Sequence, residues 1–201
     1  GIYRTINGGN TWTQVQTGNF YDIEAKPGTN ETTWYASTSS TIFKSTNEGQ
    51  SWSSVYSITG SNRINMTVSD ANPNYVYFIS SLSSNSGFKG LYRSIDSGTN
   101  FTLRSSSPNL LTHSSTGSGT GGQGWYDLAF IADPSNAETV YVGGVNTWKS
   151  TNGGTNWTLK SHWSSAPGVQ TVHADKHVLE FQGTVLWEGN DGGVYRSPDG
   201  G

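Results

Sequence analysis

Ser150-Thr151-Asn152-Gly153-Gly154-Thr155-Asn156-Trp157 decides how this chain is read, because the same pattern returns along its length. It stands earlier as Thr5-Ile6-Asn7-Gly8-Gly9-Asn10-Thr11-Trp12, as Ser45-Thr46-Asn47-Glu48-Gly49-Gln50-Ser51-Trp52 and as Ser94-Ile95-Asp96-Ser97-Gly98-Thr99-Asn100-Phe101. A fifth copy, Ser197-Pro198-Asp199-Gly200-Gly201, runs to the last residue. The residue types suit a turn: the Asp or Asn accepts from backbone N–H groups a few residues on, the Gly supplies a positive φ, and the hydroxyl ties down the entering strand. The closing Trp or Phe gives a short polar hairpin the apolar surface it lacks. Asn7, Trp12, Asn47, Trp52, Asp96, Phe101, Asn152, Trp157 and Asp199 are therefore expected to hold the fold.

Outward from each box the pattern alternates. Ile2-Tyr3-Arg4, Ile42-Phe43-Lys44, Leu91-Tyr92-Arg93, Thr147-Trp148-Lys149 and Val194-Tyr195-Arg196 lead in, with aromatic and basic residues on opposite faces of a strand. Two more strand-like runs precede each of the later lead-ins, as in Phe20–Ala25 and Thr33–Ser37, Ile64–Val68 and Tyr75–Ile79, Trp125–Phe130 and Thr139–Gly143, Val172–Phe181 and Thr184–Trp187. Each unit thus has four strands, A to D, with the box at the C–D turn. Box starts at 5, 45, 94, 150 and 197 give periods of 40, 49, 56 and 47 residues. Such repeats of four strands predict an all-β fold, a β-propeller. The blades are expected at 17–57, 58–106 and 107–162, with partial blades at 1–16 and 163–201. This count of seventeen strands, with C duplicated, is that of part of a larger propeller.

Composition narrows the function. The 201 residues carry 11 Lys+Arg against 14 Asp+Glu, for a formal net charge of -3. That leaves no concentrated basic stripe for nucleic acid. No apolar run approaches the ~20 residues of a membrane helix, so no transmembrane segment is expected. The absence of Cys rules out disulfides and zinc-thiolate sites. The start, Gly1-Ile2-Tyr3-Arg4, shows neither a basic and apolar leader nor Met, which suggests a piece of a longer chain. Charged residues are only 12%, against ~25% in ordinary domains, yet 8 Trp, 10 Tyr and 7 Phe imply packing.

The boxes resemble the Asp-box, or BNR repeat, of sialidases, sortilin-type domains, family 74 xyloglucanases and secreted bacterial propellers. In the second half, Gly121–Leu128, Val140–Ser150, His173–His177 and Gly189–Ser197 look like the large extracellular Asp-box proteins of Bacteroidetes, which commonly end in a type IX secretion sorting domain. The resemblance implies an extracellular or cell-surface protein.

Several residues are candidates for chemistry. His173, Asp175 and His177 alternate, so on strand A they would share one face toward the central channel, as ligands of a divalent metal or as a polar lining. A strand spaces such Cβ atoms by ~6.5–7 Å, which is wide for one ion. Asp191, in Gly189-Asn190-Asp191-Gly192-Gly193, resembles the loop that carries a catalytic aspartate in family 74 glycosidases, while turn chemistry also accounts for it. Such enzymes need a second carboxylate. Asp127 is a candidate, matched by Asp22 at the same strand A position in another unit. A sialidase-like arginine triad is not available, since Arg4, Arg93 and Arg196 precede boxes and leave only Arg63 and Arg104. Residues 112–124 form a low-complexity insert, a lid, surface contact or spacer, beside Trp125 and Tyr126, which would stack on sugars if exposed. The expectation is a non-catalytic binding or structural module for a glycan or surface protein, alongside the remaining blades of its propeller. The alternative is a glycoside hydrolase whose second carboxylate lies outside this sequence.

Overall fold

The computed structural model describes residues 1–200; Gly201, which closes the fifth box fragment, lies outside the described residues. It is all-β, with no helix among the described residues and so none long and apolar enough to cross a membrane. The strands form successive antiparallel sheets in chain order. The first is the hairpin β1 (Ile2–Arg4) and β2 (Thr13–Gln16). Two four-stranded sheets follow: β3 (Asp22–Ala25), β4 (Trp34–Ser37), β5 (Thr41–Ser45) and β6 (Ser53–Ser57), then β7 (Ser61–Val68), β8 (Val76–Leu82), β9 (Phe88–Ser94) and β10 (Thr102–Ser105). The next contains β11 (Ala129–Asp133), β12 (Asn136–Gly143), β13 (Thr147–Ser150), β14 (Thr158–His162) and β15 (Gln170–Thr171). The last is β16 (Lys176–Gln182), β17 (Val185–Asn190) and β18 (Gly193–Ser197).

The innermost strands β3, β7, β11 and β16 lie side by side in that order, which is the arrangement of four propeller blades. Apolar cores fill the gaps between sheets. Tyr35, Ile42, Ile64, Met66, Val76 and Phe78 join the first two full sheets, and Tyr77, Ile79, Leu91, Phe130, Val142 and Trp148 join the next pair. Ala129, Tyr141, Leu179 and Leu186 join the last.

The structure departs from the expected strands in two ways. It has one strand more than seventeen, because β15 folds back to pair parallel with β14, Ser161 opposite Gln170. Strand A also starts later than expected at β11 and β16. Trp125–Tyr126 form a turn in which the N–H groups of Tyr126 and Asp127 donate to the Gln123 carbonyl at 2.7 and 3.0 Å. Asp175 has φ +65°, which breaks the extended run before Lys176.

Each box turn uses its residues alike. Ser45 Oγ donates to Asn47 Oδ1 at 2.9 Å and accepts from Gly49 N at 3.0 Å, while Ser51 N donates to Asn47 Oδ1 at 3.0 Å. The same pattern joins Ser94, Asp96, Gly98 and Asn100, and again Ser150, Asn152, Gly154 and Asn156. Phe101 packs on Tyr56 and Phe78, with ring centres 5.3 and 5.2 Å away, and the Trp157 indole donates to Ser105 Oγ at 3.0 Å. Every C–D hairpin skips one register step on strand D, at Val15, Val55, Arg104 and Lys160. Such bulges re-aim a side chain.

The basic residue before each of the first four boxes reaches the following sheet. Arg93 Nη1 lies 2.7 Å from both carboxylate oxygens of Glu138, and its guanidinium sits 4.9 Å from the Tyr75 ring centre. Charge-assisted bonds of this kind and cation–π contacts each contribute about 1 kcal/mol or more when half-buried. Arg93→Ala should therefore destabilise the protein by about 1–2 kcal/mol, seen as a lower urea midpoint at unchanged m-value.

Candidate functional site

The strand A starts and the B–C turns lie at the end of the blades opposite the boxes. The insert is built onto this end. Asn109 Nδ2 donates to the Gly119 and Gly121 carbonyls at 3.1 and 2.9 Å, while its Oδ1 accepts from Phe88 N at 2.8 Å. Gly122 N donates to Asn85 O at 3.1 Å, and Leu110 and Leu111 are fully buried in the core. The insert is therefore a docked surface segment that delivers Trp125 and Tyr126 to a fixed place. Arg63 Nη1 fixes them from beneath, donating to the Trp125 and Tyr126 carbonyls at 3.3 and 2.9 Å.

The two rings stand out from the surface, Trp125 at 64% and Tyr126 at 41% exposure, with centres 5.4 Å apart. The Tyr126 hydroxyl donates to Asp191 Oδ2 at 3.1 Å, and its ring meets His177 edge-on at 5.0 Å. His177 Nε2 lies 2.8 Å from Asp191 Oδ1. The hydrogen bond from His177, then that from Tyr126, hold the Asp191 carboxyl below its usual pKa, so it is a carboxylate at neutral pH. Asp191 and Gly192 make the β17–β18 turn, and His173 packs against Gly192 so closely that a Cβ there would lie 2.5 Å from its ring.

Beneath this surface lies a layer of buried ionisable groups. Asp127 has no exposure, and neither of its carboxyl oxygens has a hydrogen-bond partner among the described residues. Burial pushes its pKa up to about 8, neighbouring Asp175 adds to the rise, and Lys176 opposes it. Asp127 is thus a neutral acid at pH 7, able to donate to Asp175, which also accepts from Gln123 Nε2 at 3.0 Å. The fully buried Lys176 ammonium donates to the Val145 and His173 carbonyls at 2.8 and 2.7 Å and lies 3.9 Å from Glu188. Glu188 in turn accepts from Thr147 and Asn190 at 2.5 and 3.1 Å.

The candidates fall into place as follows. Tyr126, His177 and Asp191 come together, with Trp125 adjacent. Asp127 lies buried below them, near Asp175 and out of contact with solvent-borne ligands. His173, Asp175 and His177 do not share a strand face, because the left-handed Asp175 precedes β16, and no group of three His, Asp or Glu residues fit to hold a metal occurs among the described residues. Asp22 instead binds the next blade, its Oδ2 accepting from Met66 N at 2.6 Å and Asn65 Nδ2 at 2.9 Å. Sequence reasoning missed Glu24. It lines an axial cavity of about 410 Å3 with Asp70 and Glu180, and burial first, then Asp22, Glu180 and Asp70, push its pKa up to about 8. Its alternation in Asp22-Ile23-Glu24 was the available signal.

These features define an all-β propeller with an aromatic and acidic surface at one end. No protein-family model matches the chain, and no curated protein matches it. Solved structures do. The chain is similar to the GH74 xyloglucanase from Xanthomonas campestris, with a TM-score of 0.66 and 16% identity over 98% of this chain and 33% of that one. It is similar to an ancestral GH74 enzyme, with a TM-score of 0.63 and 20% identity over 94% of this chain and 24% of that one. YCF48 bound to D1 peptide matches with a TM-score of 0.52 and 11% identity over 90% of this chain and 66% of that one. The chain thus spans between a quarter and two thirds of these propellers, and the likeness shows the fold.

Proposed function

We propose that the protein is a non-catalytic binding module and that Trp125, Tyr126, His177 and Asp191 form its recognition surface, with a glycan as ligand. The supporting observation is the exposed Trp125 ring, fixed beside hydrogen-bonding groups that are already ordered. A flat aromatic face suits the C–H face of a sugar, and a pre-ordered carboxylate and imidazole suit its hydroxyls at little entropic cost. An extracellular or cell-surface setting belongs to the same proposal, supported by the resemblance of its boxes to those of exported propellers.

A hydrolase would need an acid across the scissile bond from Asp191. Asp127 is the neutral acid nearby, but it is fully buried. The hydrolase reading therefore takes its second carboxylate from outside this sequence. Calorimetric titration with a panel of soluble polysaccharides should show binding that Trp125→Ala weakens about tenfold or more, with no release of reducing ends. Turnover abolished by Asp191→Asn would replace this reading with the hydrolase. Since YCF48 binds a peptide, affinity for peptides and none for any sugar would replace the ligand class.

A further inference from the structure

A second exposed indole stands at the other end of the insert. Trp163 follows β14 directly and is 44% exposed. Both of its N–H groups are held: the backbone N–H donates to Asn146 Oδ1 at 3.1 Å, and the indole Nε1 donates to the His113 carbonyl at 3.2 Å. Asn146 has no exposure, and its Nδ2 donates to the Thr112 carbonyl at 3.1 Å. The buried His162 adds a third tie, its Nε2 lying 3.0 Å from the same His113 carbonyl. An aromatic side chain left half in water yet fixed at both nitrogens has little freedom left to lose when a ligand stacks on it.

This place repeats the arrangement around Trp125 and Tyr126. The Trp163 ring meets the His113 imidazole at 6.1 Å and 81°, as the Tyr126 ring meets that of His177 at 5.0 Å and 89°. Gln123 N donates to the Leu111 carbonyl at 3.3 Å, so residues 111–123 form a closed loop. His113 and Trp125 each lie two residues from that closure, or ~7 Å of chain. Trp125 pairs with Tyr126 and Trp163 with the two histidines, so the indoles are neighbours but separate platforms. The loop between them presents hydroxyls: Ser114 Oγ lies 3.0 Å from Thr116 Oγ1 and 2.8 Å from Ser118 Oγ, and Thr116 and Ser118 are exposed. Such groups both donate and accept, as sugar hydroxyls do.

We propose that Trp163 is a second sugar platform and that the ligand is a glycan chain of several linked sugars, stacked on Trp125 at one end of the insert and on Trp163 at the other. The proposal rests on the Trp125–Asp191 surface being a glycan site and adds to it the length of the ligand. One sugar ring occupies one platform, whereas a chain that reaches both makes its second contact intramolecularly. Affinity therefore rises with chain length up to the span of the insert and is level beyond it. A site for single sugars or chain ends lacks that dependence.

Calorimetric titration with xyloglucan, mixed-linkage β-glucan, xylan and galactomannan, and with size-fractionated oligosaccharides of each, tests this. The longest oligosaccharides of the glycan that binds should bind about tenfold or more tightly than its disaccharide. Trp163→Ala, at an exposed side chain, should weaken binding of the long oligosaccharides about tenfold. It should leave the affinity for the disaccharide unchanged, which also shows that the variant is folded. Trp125→Ala should weaken both. Trp163→Phe keeps a ring and should retain most of the affinity for long chains; a loss as large as with Ala would assign the effect to the indole's bond to His113 and overturn the platform. Binding that Trp125→Ala weakens and Trp163→Ala leaves unchanged, or an affinity independent of chain length, overturns the second platform alone. No binding to any of the four glycans, or binding indifferent to Trp125→Ala, overturns the recognition surface and this proposal with it.

Discussion

Stability of the protein should fall as pH rises from 5 to 8, and Asp127→Asn should remove much of that fall. Asp127 holds its proton to about pH 8 in the folded chain, against a reference value of 3.8. Between these values the unfolded state binds fewer protons than the native state, so unfolding becomes easier with every step upward in pH. The loss begins above the unfolded pKa and is complete above the folded one. Glu24, raised from 4.5 to about 8, acts in the same direction. At ~1.4 kcal/mol per pH unit for each such group, Asp127 alone accounts for on the order of 5 kcal/mol across the window. For a chain of this size that is ~10 °C or more in melting temperature. Asn keeps a donor facing Asp175 and has nothing to titrate. The variant should melt near wild type at pH 5 and well above it at pH 8. A variant as pH-sensitive as wild type would show that Asp127 is ionised when folded.

The second large effect is expected at Gly154. Its φ is +81°, and an added Cβ would lie 1.7 Å from Leu91 Cδ2 and 3.2 Å from Leu91 Cγ. Leu91 is fully buried between the sheets and cannot swing into solvent. Left-handed strain of about 1–2 kcal/mol and overpacking of about 1–3 kcal/mol add to a loss of about 2–5 kcal/mol for Gly154→Ala. Gly8→Ala meets only the strain term, because nothing lies within 4 Å of its Cβ. The Gly154→Ala/Leu91→Ala double variant should cost less than the sum of the single changes, since the second deletion makes room for the first. Additive losses in a urea titration would locate the damage in the turn itself.

The periodic part of the molecule was legible in the sequence. Asn47, Asp96 and Asn152 sit in turns of the expected kind, because their hydrogen bonds close within a few residues and need no distant partner. What failed was reading strand A by alternation alone. His173, Asp175 and His177 alternate in sequence, yet the left-handed Asp175 takes them off a common face. An Asp tolerates that conformation in many settings, so nothing local announces it. Likewise Tyr126 and Asp191 meet across 65 residues, a distance that only the packing of one blade on another can close. The burial of Asp127 is of the same kind. Its sequence neighbourhood matches that of Asp22, but Asp22 finds Met66 N and Asn65 on the next blade while Asp127 finds another carboxyl.

Arg104 shows what a single extra residue can do. It is the bulged position of strand D, and from there it grips Gly153 O, Asn152 O and Thr155 Oγ1 at 2.9, 3.1 and 2.8 Å. Because that hairpin contains both a grip for its successor and a turn to be gripped, a duplicated unit arrives with both halves of its joints already in place. An array built this way can be lengthened by whole units without a new kind of interface, and it accommodates units of unequal length such as the 56-residue one.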